Sequence, residues 1–145
     1  MNGKREKGVL LAVNGTLMRG LELEENLLEV GATFVREDKT EKSYRLWSVE
    51  DRHPAMIRSR SEDPNCNTVD VEIWEVPAAG FAQVLQREPQ GLSIGKVMLE
   101  RGEQVLGVIG EPLLVEGMKE ISQYGGWRNY LKARELVDKS MPEQK

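Results

Sequence analysis

Residues 8–20, GVLLAVNGTLMRG, restrict the possible folds more than any other stretch. Gly8, Val9, Leu10, Leu11, Ala12 and Val13 form an apolar run without polar alternation. Such a run belongs to a strand covered on both faces, in the interior of a sheet. Asn14 and Gly15 then break it. Over residues 14–17 glycine admits backbone angles that side chains forbid, so successive N–H groups can turn toward one point and form a nest for a carboxylate or similar anion. Thr16 adds a hydroxyl donor there. A plain strand-to-loop turn is the alternative, and residue chemistry leaves both open.

Downstream, Leu21, Leu23, Leu27 and Leu28 spread among acidic residues read as a short helix. Residues 32–36 read as a strand, 37–42 as a polar turn and 43–49 as the hairpin partner, with Tyr44, Leu46 and Ser48 on one face and Arg45 and Trp47 on the other. Residues 50–54 read as a turn, 55–58 as a brief strand and 59–67 as a mobile loop. The clearest alternation is TVDVEIWEV over 68–76, with Val69, Val71, Ile73 and Glu75 opposite Asp70, Glu72 and Trp74. Pro77 opens a helix whose buried face is Phe81, Val84 and Leu85, and Glu88 and Pro89 end it. Residues 92–99 and 104–109 form a second hairpin around Gly102, with Gly95 and Gly107 where a sheet bends toward closure. The last helix spans 127–137, with Trp127, Tyr130, Leu131, Ala133 and Leu136 on its core side.

Strands therefore come mainly in hairpins, which favours an α+β domain with a curved, mostly antiparallel sheet or partial β-barrel and two to three helices. A chain of 145 residues fits one domain. Residues 8–137 are that domain, 1–7 a flexible N-terminus and 138–145 a fraying tail.

The 20 basic and 24 acidic residues are evenly scattered, which argues against nucleic acid or an anionic membrane as partner. Cys66 and His53 are the only residues of their kinds, so neither a disulfide nor a Cys/His zinc cluster is expected, nor any other cofactor. With no membrane span or cleavage site behind the polar first residues, the expected place is the cytoplasm. His53 falls in a polar turn before Pro54, an unpromising setting for a catalytic histidine, and Cys66 reads as an incidental thiol. Among the carboxylates, Glu88 stands out. It ends an amphipathic helix at a junction with a strand, where burial in a cleft would raise its pKa toward that of a general base. A solvated glutamate at a helix end is the alternative.

The loop at 14–20 (NGTLMRG) resembles the Tyr-Gly-Thr/Ser-Leu loop of the gamma-glutamylcyclotransferase-like fold. The pieces Tyr44-Arg45-Leu46, VEIWEVP at 71–77, GLSIG at 91–95 and ISQYGGWRNYL at 121–131 resemble the C-terminal domain of allophanate hydrolases, which shares that fold. The resemblance runs from about Val9 to Leu131 and implies two functions. A cyclotransferase would close the amine of a small gamma-glutamyl amide onto its own gamma-carbonyl, releasing 5-oxoproline, with Asn14, Gly15, Thr16 and Leu17 binding substrate and Glu88 as the base. An allophanate-hydrolase-type domain would bind or decarboxylate a small carboxylate, or serve as an accessory module docking on an amidase or on a second copy of itself. The chain departs from both patterns. Asn14 replaces the cyclotransferase tyrosine, Thr16 stands where the allophanate branch carries a histidine, and Glu88 where that branch carries an apolar residue.

Overall fold

A computed structural model describes residues 8–140. Its elements run β1 (Val9–Val13), α1 (Glu24–Glu29), β2 (Thr33–Lys39), β3 (Tyr44–Val49), β4 (His53–Arg58), β5 (Asp70–Val76), α2 (Ala78–Gln86), β6 (Leu92–Met98), β7 (Gln104–Gly110), β8 (Lys119–Glu120) and α3 (Trp127–Ser140), with 3-10 turns at Pro112–Val115 and Ser122–Tyr124. The larger sheet has the order β2-β5-β1-β7-β6 and the smaller one β4-β3-β8. All pairings are antiparallel except β1 with β7.

The apolar run is the central strand of the larger sheet. Leu11 and Val13 lie opposite Trp74 and Glu72 of β5, on the face of the main core that also holds Leu27, Leu46, Met56, Trp127 and Tyr130. Ala12 turns to the other face with Val71, Ile73, Leu99 and Val105, a second and smaller core. Gly107 lets β7 approach β1, since a Cβ there would lie 3.2 Å from the Ala12 carbonyl oxygen and 2.6 Å from Val97 Cγ2.

The expected pairing of residues 32–36 with 43–49 is overturned. β2 pairs with β5 across a bulge between Phe34 and Arg36. Beyond it the backbone is held from both sides, with Thr40 N–H donating to Val69 O (3.0 Å) and Glu41 N–H to Met98 O (3.0 Å), so the chain crosses into the smaller sheet rather than folding back. There β3 makes its hairpin with β4. The connection is the three residues 50–52, with Glu50 and Asp51 both at positive φ (52° and 59°) and Arg52 N–H donating to Val49 O (3.0 Å), the twist that a hairpin requires. The hydroxyls of Ser48 (2.7 Å) and Tyr130 (2.6 Å) donate to Asp51 Oδ1 and hold it in place.

β3 buries Tyr44, Leu46 and Ser48 and leaves Arg45 and Trp47 half-buried, as the alternation predicts. Several other expectations shift. His53 and Pro54 belong to β4, not to a turn. Within the 59–67 loop Cys66 is buried, with its thiol donating to Arg60 O (3.1 Å), while residues 60–62, 64 and 65 are exposed. Leu85 and Leu136 are exposed because their helices meet the core along a narrower stripe. α3 continues through Ser140, beyond the expected end at 137. Of the expected flexible segments 1–7 and 138–145, residues 138–140 belong to α3, and 1–7 and 141–145 lie outside the described residues.

Glu72 fixes these parts relative to one another. Its side chain is 3% exposed, yet charged, and four donors surround it. Arg19 N–H (2.9 Å) and Trp74 Nε1 (3.2 Å) donate to Oε1, while Arg19 Nε (3.2 Å) and Arg128 Nη2 (3.1 Å) donate to Oε2. Burial by itself pushes this carboxyl up, but the hydrogen bonds from the Arg19 backbone, Trp74, Arg128 and the Arg19 side chain outweigh it and hold the pKa below the usual 4.5. The stabilisation is therefore present above pH 4.5 and is lost as the pH falls toward the lower folded-state value. Glu72→Gln should cost about 2 kcal/mol or more at pH 7 in urea unfolding, the scale of a charged hydrogen-bond set losing its acceptor. The gap to the parent should narrow below pH 4.5. A variant as stable as the parent at pH 7 would remove Glu72 from this role.

Candidate functional site

The loop after β1 is anchored at both ends. Asn14 Nδ2 donates to Val108 O of β7 (2.9 Å) and lies 3.8 Å from Met56 Sδ. At the far end, Arg19 N–H is held by Glu72. Between them Met18 N–H donates to Gly15 O (2.9 Å) and Leu23 N–H to Thr16 O (2.9 Å). Gly15 sits against Pro54, whose Cδ would be 2.5 Å from any Cβ at that position, so only glycine fits beside β4. The backbone N–H groups of Gly15, Thr16 and Leu17, and the Thr16 hydroxyl, donate to no acceptor among the described residues.

Glu88 faces this loop. The residue before a proline disfavours the helical conformation, so the chain leaves α2 at Arg87, and Glu88 N–H closes a turn onto Leu85 O (3.2 Å). The half-buried carboxyl has no hydrogen bond or ion pair among the described residues, and burial raises its pKa to about 7. Arg87 is turned away into a pair with Glu29 of α1.

Asn14, Gly15, Thr16, Leu17 and Glu88, singled out from the sequence, thus line one cleft, together with Val13, His53, Pro54, Leu92 and Val108. The Asn14 side-chain nitrogen is committed to Val108 O. The inner cleft is narrow, with a cavity volume of about 10 Å³, room for about one water. Beside it lies an outer basin of about 680 Å³ that includes Thr16, Leu23, Arg52, His53, Pro89, Gln90 and Leu114. Thr16 and His53 border both spaces.

His53 escaped the sequence reading, which placed it in a polar turn. It is the first residue of β4, 8% exposed, with Nδ1 3.1 Å from the Pro54 carbonyl oxygen. The available signal was Asp51, a turn former that with Glu50 takes positive φ and closes the hairpin early enough to draw His53 into the strand. A larger hollow of about 380 Å³ lies between β5 and α3, where Arg128 pairs with Glu72 and Lys39 with Asp70 at 4.0 Å, while Lys132 is exposed at its rim. The Glu88 cleft differs in holding a desolvated carboxyl without a partner among the described residues. Among the described residues no three His, Cys, Asp or Glu side chains gather to hold a metal ion, and no helix is long and apolar enough to cross a membrane.

Comparison with known proteins agrees with this architecture. Urea amidolyase of Saccharomyces cerevisiae is 32% identical over 141 residues, and the match spans 94% of this chain but only 8% of the yeast protein. The crystal structure of a uropathogenic E. coli-specific protein superposes with a TM-score of 0.82 at 55% identity, covering 86% of this chain and 95% of that one. Kluyveromyces lactis allophanate hydrolase superposes with a TM-score of 0.81 at 30% identity, covering 87% of this chain and 21% of that one. An aig2-like protein from Mus musculus, 20% identical with a TM-score of 0.55 over 74% of this chain and 79% of its own, shares the fold. The α+β, gamma-glutamylcyclotransferase-like class read from the sequence is the one observed. The model of the allophanate hydrolase C-terminal domain matches residues 9–132, and the chain belongs to that family.

Proposed function

We propose that the Glu88 cleft is a proton-transfer site for a small carboxylated nitrogen compound, a carbamate of the kind left when an amidase cleaves the amide of allophanate. The observation that carries this reading is an unpartnered carboxyl with a pKa of about 7 in the same cleft as three backbone N–H groups that lack acceptors. The N–H groups of Gly15, Thr16 and Leu17, with the Thr16 hydroxyl, hold one carboxylate of the substrate. Glu88 in its acid form gives its proton to the carbamate nitrogen as the C–N bond breaks. The electron pair of that bond stays on nitrogen, carbon dioxide leaves, and the Glu88 carboxylate regains a proton from water. A pKa near 7 suits this role, because about half of the groups carry a proton at neutral pH. Family membership and 30% identity to an allophanate hydrolase favour such a substrate, and an amidase would be the partner that supplies it.

The position of Glu88 also favours a second reading. It ends the helix after β5, where the resemblance to cyclotransferases puts the base that would take a proton from the amine of a gamma-glutamyl amide. The carbamate is preferred because the sequence similarity is to the allophanate branch, whereas the aig2-like structure shares the fold alone.

The pH profile separates the two. As an acid, Glu88 loses activity as the pH rises through about 7, while as a base it gains activity over the same range. Carbon dioxide and 5-oxoproline release should be followed from freshly generated carbamates and from gamma-glutamyl amides. Carbon dioxide release above the spontaneous rate should fall about 10²–10⁴-fold in Glu88→Gln, the usual range for a positioned acid. Retention of that rate in the variant would remove Glu88 from the chemistry.

The same variant should be more stable than the parent. A carboxyl with a folded-state pKa near 7 and an ordinary value of 4.5 binds more protons folded than unfolded between those limits, so the parent loses stability as the pH rises across them. In thermal unfolding the advantage of Glu88→Gln should grow from pH 4.5 to about 7 and level off above. An advantage independent of pH would mean that Glu88 is not desolvated.

A further inference from the structure

We propose that His53 Nε2 accepts a hydrogen bond from a substrate N–H at the mouth of the cleft, so that the site selects carbamates and amides over carbon isosteres. This rests on the reading of the cleft as a carbamate site and adds its means of recognising nitrogen. A carbonyl oxygen only accepts, so the 3.1 Å contact of Nδ1 with Pro54 O is donated by Nδ1–H, and in the neutral ring this leaves Nε2 as a bare acceptor. Nε2 has no partner among the described residues, although the residue is 8% exposed. The ring borders both the inner cleft and the outer basin, so with one edge turned to the backbone the other faces the space a ligand enters. Each nearby group supplies something different. The 15–17 nest donates to a carboxylate, Glu88 moves a proton, and His53 is the group whose unpaired lone pair requires a donor from the ligand. A ligand with a methyl or methylene in place of N–H leaves that lone pair desolvated and unanswered, which costs affinity.

Oxamate and pyruvate test this directly, because they differ by an NH₂ in place of a CH₃ beside the same carboxylate-bearing carbonyl. His53 is the only histidine, so the full chain labelled with ¹⁵N-histidine gives one imidazole whose two nitrogens can be followed by NMR. Oxamate should bind about 3–10-fold more tightly than pyruvate, the range of one neutral hydrogen bond. It should also move the Nε2 signal while Nδ1 stays protonated. In His53→Asn the amide nitrogen replaces Nδ1 and keeps the Pro54 contact, so the fold should persist by thermal unfolding while the preference for oxamate falls to about 1-fold by the same reasoning. His53→Gln, which returns a polar atom near the Nε2 position, should restore part of it. Equal affinity for the two ligands, or an unmoved Nε2 signal with oxamate bound, overturns the role of His53 while leaving the carbamate reading intact. Binding of neither ligand, together with unchanged carbon dioxide release in Glu88→Gln, overturns that reading and the His53 role with it.

Discussion

The buried charge of Glu72 is the constraint on which the rest of the structure depends. A carboxylate inside a sheet is costly unless its lone pairs are answered, and here they are answered by donors from three separate parts of the chain. The Arg19 backbone brings in the end of the loop after β1, Trp74 comes from the same strand, and Arg128 comes from the first turn of α3 while also holding Arg19 O at 2.6 Å. None of these pieces can move away without leaving a charge behind. A hydrophobic residue in that position would have packed just as well, but it would not have fixed the path of residues 14–19.

Glu88 shows the opposite solution within the same small fold. Both glutamates are removed from water, yet Glu72 has four hydrogen bonds and a lowered pKa, whereas Glu88 has none and a pKa of about 7. The difference comes from what lies in reach. Arg19 and Arg128 are directed at Glu72, while the cation nearest in sequence to Glu88, Arg87, is drawn off to Glu29. A folded chain would gain by giving Glu88 a partner or by making it neutral. In the proposed proton transfer, its place in a cleft with unpaired N–H groups is where stability and function pull in opposite directions.

The sequence made much of this frame legible because local pattern decided it. The unbroken apolar run could only be central, the alternation in β5 could only be a strand, and the glycine-centred β6–β7 hairpin closed on itself. Glu88 was legible for a similar reason, since the proline after it sets its backbone. What escaped the reading was set by distant groups. The partner of β2 is chosen by backbone bonds to Val69 and Met98, not by the polar turn that follows it. Glu72 shares a face with Asp70 and Trp74, and the donors that make its burial tolerable come from α3 and the Arg19 loop, far away in sequence. His53 looked solvated because its neighbours in sequence are charged, and only the hairpin turn at Glu50 and Asp51 lifts it into β4.

The single parallel pairing explains why the site stands where it does. An antiparallel neighbour begins where β1 ends, so β5 presents Asp70 and Glu72 beside Val13 and the loop beyond it. A parallel neighbour continues in the same direction, so β7 runs past the end of β1 and offers the Val108 carbonyl to Asn14. β6 starts against the end of β7, with Leu92 opposite Gly110, which brings the Glu88–Pro89 corner to that same end. β4 crosses there as well, because a Cβ on Gly110 would lie 2.8 Å from Ala55 Cβ, and that carries His53 and Pro54 to the loop. Had β7 been antiparallel to β1, the hairpin would have carried the Glu88 corner to the other end of the sheet, away from the nest. The cleft is thus a product of strand direction, which brings the unpartnered Glu88 carboxyl and the loop after β1 to one end of the sheet.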